Sequence, residues 1–101
     1  MDAPLIYVIT AIRNERRETR TWGWFPDKER AFAAVLNNEG DLYEYGWFPL
    51  IVVEEMEPGI MPLLCHDKRW WFAWQGDCET GGYRPAPCPT EYEGVVNFAM
   101  G

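Results

Sequence analysis

Leu5-Ile6-Tyr7-Val8-Ile9-Thr10-Ala11-Ile12 is the stretch on which the fold turns. Most of its residues are β-branched or aromatic, and both alternating sets are apolar: Leu5, Tyr7, Ile9 and Ala11 on one face, Ile6, Val8 and Ile12 on the other. A strand with one wet face alternates apolar with polar. A strand that is apolar on both faces needs cover on both, which places this one inside a sheet. The charged run Arg13 to Glu18 follows as a hairpin loop, and Thr19 to Phe25 returns. So short a connection implies antiparallel pairing. Simple alternation puts Arg20, Trp22 and Trp24 on one face of the return strand and Thr21, Gly23 and Phe25 on the other.

Pro26-Asp27 stops that strand, and Asp27 is suited to cap a helix because its carboxylate can accept the orphan N–H groups of the first turn. The spacing predicts a helix over 28–37 with Ala31, Phe32, Val35 and Leu36 as its apolar stripe. Asn37-Asn38-Glu39-Gly40 supplies left-handed conformers to end it. Trp47 to Glu57 reads as a strand ending in carboxylates, and Glu57-Pro58-Gly59-Ile60 as a type II turn. Arg69 to Gln75 is the next strand, with Trp70, Phe72 and Trp74 opposite Trp71 and Ala73. Residues 78–90 are read as an irregular Pro/Gly-rich loop, and Tyr92 to Phe98 as a short last strand. The expectation is a single α+β domain over residues 1–101. It has a small antiparallel sheet of four to five strands, one helix packed on one face, and the order β-β-α-β-β. One short helix should leave some aromatic surface of the sheet exposed or partnered.

Composition narrows function. The 101 residues are 48% hydrophobic and 16% aromatic, which excludes intrinsic disorder. No run reaches the roughly 18–20 apolar residues of a membrane span. Leu5 to Ile12 is followed by Arg13 to Arg20 and no small-residue cleavage site, so the chain reads as cytoplasmic, without a signal peptide. The net charge is −7, from nine Lys and Arg against sixteen Asp and Glu. Residues 1–36 carry six bases against five acids, a net of +1; residues 37–101 carry three against eleven, a net of −8. A negative field argues against direct nucleic-acid binding and for a basic partner.

The catalytic inventory is thin. Cys65, Cys78 and Cys88 are an odd number, so they cannot all pair within the chain, although a Cys78–Cys88 disulfide is allowed. Cys65-His66 with Cys78 and Cys88 would make four zinc ligands, but adjacent residues in extended chain point apart. The same adjacency disfavours a Cys65–His66 catalytic pair, and His66 is the only histidine. No nucleophile elbow, phosphate-cradling loop or dinucleotide fingerprint is present. The expectation is no enzyme, no cofactor and no metal. Two aromatic rows, Trp22/Trp24 and Trp70/Phe72/Trp74, read as core first and as binding platforms second.

Several segments together resemble a group of small bacterial and phage proteins of uncharacterised function. They are Arg20-Thr21-Trp22-Gly23-Trp24-Phe25, Asp41-Leu42-Tyr43-Glu44, Val52-Val53-Glu54-Glu55 and Pro58-Gly59-Ile60-Met61-Pro62, with Glu29, Ala31, Asn38 and the C-terminal Asn97 to Gly101. The pattern departs at Trp70, Trp71 and the Cys78–Cys88 loop. The resemblance implies a setting on prophages and other mobile elements, and no activity. With the −8 segment it leads to one expectation: a non-catalytic inhibitor that blocks a basic, nucleic-acid-handling host protein in the host cytosol, of anti-CRISPR or other anti-defence type. Asp41, Glu44, Glu54, Glu55 and Glu57 would pair with the partner's Lys and Arg, and Trp47 and Trp70 would anchor the contact. The alternatives are a nucleotide- or zinc-binding module, and a self-associating protein that buries its open sheet face in a homodimer.

Overall fold

The computed structural model describes residues 5–13, 18–44, 48–56 and 65–89. Five strands and one helix follow one another: β1 (Ile6–Arg13), β2 (Glu18–Phe25), α1 (Lys28–Leu36), β3 (Leu50–Met56), β4 (Cys65–Gln75) and β5 (Gly82–Ala86). The strands form one sheet in the order β2-β1-β3-β4-β5, and every neighbouring pair is antiparallel. This is the small α+β fold expected. β1 lies inside the sheet between β2 and β3, as its doubly apolar sequence requires.

α1 starts where the sequence places it. Asp27 is its N-cap, in extended conformation, and its Oδ1 accepts from the Glu29 N–H at 3.1 Å. The helix ends through Asn38 (φ 48°) and Gly40 (φ 63°), both left-handed. Its buried stripe is Ala31, Ala34 and Val35, rotated from the expected one. Leu36 is exposed, and Phe32 lies at the margin, edge-on to both Trp70 and Phe72 at 5.4 Å.

The helix-side core joins Ile9, Ala11, Ala31, Ala34, Val35, Leu42, Phe48, Ile51, Val53, Phe72 and Tyr83. The second face is buried as well: Val8, Thr10, Ile12, Val52, Met56 and Trp71 are all buried. Among the described residues, the aromatic side chain left exposed is Trp24, at 59%.

Two details of the sheet overturn the sequence pattern. The β1–β2 register slips between Ile9 and Thr10, which pair with Gly23 and Thr21 and leave Trp22 as the extra residue of a bulge. Trp22 and Phe25, three positions apart, consequently both pack on the helix-side core, and the proposed Trp22/Trp24 row is split. Residues 78–90 are not wholly irregular either. Within them β5 pairs with β4 from Trp71↔Ala86 to Gln75↔Gly82. Pro85 is tolerated because β5 is an edge strand, and a missing N–H there costs no ladder bond. Tyr83 is fully buried and ties β5 down. The expected strand over 92–98 lies outside the described residues.

Candidate functional site

Glu54 and Glu55 do not form a solvated strand end. β3 is the middle strand, so its C-terminal half has a neighbour on each side: Val8 and Arg69 flank Glu54, and Tyr7 pairs with Glu55. Glu54 is 0% exposed, and its Oε2 accepts from Arg69 Nε at 3.0 Å. Glu55 is also buried and accepts from the Tyr7 hydroxyl at 3.2 Å. Burial, reinforced by that carboxylate, raises the Tyr7 pKa above its usual value. Both glutamates thus serve the sheet and are out of a partner's reach. Trp70 is partly buried. It packs on the helix-side core against Tyr7 (6.1 Å) and Phe32 (5.4 Å), with Lys28 Nζ 5.3 Å from its ring centroid. Trp47 and Glu57 lie outside the described residues.

Asp41 and Glu44 stay at the surface, on the turn after α1. Both hold left-handed backbone, with φ of 56° and 48°, and the Asn38 side chain braces the turn through the Tyr43 N–H (2.9 Å) and Asp41 Oδ1 (3.3 Å). Glu44 is engaged within the chain, in an ion pair with Arg20. Asp41 makes no ion pair among the described residues.

Between these two acids stands Tyr43, and it meets Trp74 from the end of β4. The rings are stacked at 3.8 Å with an interplanar angle of 3°. Tyr83 stands perpendicular to both, at 6.1 Å from Tyr43 and 5.0 Å from Trp74. The Tyr83 hydroxyl donates to the Phe48 carbonyl at 2.6 Å. Burial above all, then Tyr43, Asp41 and Glu44, pushes the Tyr83 pKa far up, so the phenol stays neutral.

The turn after β4 completes this end of the sheet. Trp74 Nε1 donates to the Asp77 carbonyl at 3.0 Å, and the Gly81 N–H donates to the same oxygen at 2.8 Å. Gly76 has φ 95°, and a Cβ on Gly81 would stand 2.4 Å from the Gln75 carbonyl oxygen, so both positions need glycine. The turn leaves Asp77 and Glu79 exposed, with no ion pair among the described residues. Cys78, also exposed, is a free thiol 3.8 Å from the Tyr43 hydroxyl, so the Cys78–Cys88 disulfide is not formed. Burial, followed by that thiol, raises the Tyr43 pKa.

The site is thus a stacked Tyr43–Trp74 pair that joins two acidic turns, one carrying Asp41 and the other Asp77 and Glu79. Of these, Asp41 is singled out from sequence as a partner contact and Trp74 as part of the Trp70/Phe72/Trp74 row. Tyr43 and Trp74 were legible as aromatics, but their meeting depends on β4 returning beside the 41–44 turn. No group of three His, Cys, Asp or Glu among the described residues could hold a metal ion, and no helix among them is long and apolar enough to cross a membrane. Comparison with protein-family models, with curated proteins and with solved structures finds no match to this chain.

Proposed function

We propose that this chain is a non-catalytic binding protein that docks on the basic surface of a partner protein through its acidic, aromatic end and blocks that surface. The observation that supports this reading is the meeting of two turns through the Tyr43–Trp74 stack, one carrying Asp41 and the other Asp77 and Glu79, three exposed carboxylates without an ion pair among the described residues. A carboxylate about 4 Å from a partner's Lys or Arg contributes between roughly 1 kcal/mol in water and 4 kcal/mol at a half-shielded surface. A guanidinium over the indole adds about 0.5–2 kcal/mol. Carboxylates so placed would occupy Lys and Arg sites that otherwise hold phosphates. The inhibitor role, of anti-CRISPR or other anti-defence type in a host cytosol, rests on the resemblance to mobile-element proteins and on the net charge of −7.

The test is capture from host lysate with the full chain as bait, compared with Asp41→Lys/Asp77→Lys/Glu79→Lys. Glu29→Lys, an exposed acid on α1, serves as the control. A partner with a basic surface should be lost by the triple variant and kept by the control. An unchanged set of captured proteins after triple reversal would overturn the reading.

A further inference from the structure

We draw no further inference here: the strongest candidate, the apolar cleft of about 170 Å³ between β2 and α1 lined by Ile9, Trp22, Phe25, Ala34 and Leu42, carries nothing because nothing in the structure shows what covers it.

Discussion

Glu54 lies among apolar neighbours on the second face of the sheet and is held there by Arg69 on the adjacent strand. A carboxylate in that position is tolerated because it is paired, and removing one partner of a buried pair costs more than the pair itself contributes. Glu54→Ala should therefore destabilise the fold by about 3 kcal/mol, the low end for such pairs, since Arg69 keeps part of its side chain in water. Glu55→Ala, which loses a single hydrogen bond from Tyr7, should cost about 1 kcal/mol. Urea denaturation measures both, and equal small losses would return Glu54 to the solvated edge that its sequence suggests. Tyr83 gives a second residue-scale prediction, in pH. Its folded pKa lies above the ordinary 10.0, so above pH 10 the unfolded chain releases a proton that the folded chain keeps. The stability tied to this phenol is complete below pH 10 and falls as pH rises beyond it. In Tyr83→Phe this alkaline loss should become shallower. The variant should also lose about 1 kcal/mol at neutral pH with the bond to the Phe48 carbonyl.

The elements differ in how openly their sequences declare them. β1 and the Asp27-capped start of α1 are legible because their signals are local: apolar residues on both faces, and a carboxylate before a run of helix formers. β5 is hidden, because Gly82, Pro85 and the glycine next to Gly82 in sequence look like loop, and the buried Tyr83 and a place at the edge of the described sheet make a strand workable. The bulge at Trp22 is hidden for another reason. Strict alternation carries no mark of an inserted residue, yet one insertion sends Phe25 rather than Trp24 to the core. The burial of Glu54 and Glu55 depends on β3 being the middle strand, which is a property of strand order and not of the segment itself. The same reasoning makes the turn after β4 a testable element. Its carbonyls at Gln75 and Asp77 crowd Gly81 within 2.4 and 2.6 Å of where a Cβ would stand. Both are backbone atoms, so Gly81→Ala must open the turn. The expected loss is about 2 kcal/mol or more, with weaker binding of lysine peptides because Asp77 and Glu79 move with the turn. Wild-type stability in that variant would mean that the turn is free to rearrange.

At the scale of the whole molecule, the net charge of −7 is spent unevenly. Part of it is neutralised inside the chain by Arg69, Arg20 and Arg30 against Glu54, Glu44 and Glu39, while Asp41, Asp77 and Glu79 make no ion pair among the described residues. This separates what stability needs from what binding can use. Reversing the three exposed acids to lysine takes the net charge from −7 to −1. Those side chains support no ion pair among the described residues, but Asp41 accepts from Asn38 and Asp77 from Thr80, both at 3.3 Å on the surface, so the loss of stability should stay within about 1–2 kcal/mol, with relief of self-repulsion partly offsetting it. Association with a basic peptide or partner should respond in the opposite way. In the wild-type chain it should slow steeply as salt rises from about 0.01 M to 0.15 M, where the screening length falls from about 30 to 8 Å. In the triple variant it should be weak and nearly independent of salt, because rim charges act mainly on the association rate. Stopped-flow association across that salt range, alongside urea midpoints for both chains, separates the outcomes. A wild-type rate that ignores salt would remove electrostatics from recognition. A triple variant that unfolds would show that these three carboxylates serve the fold, as Glu54 does.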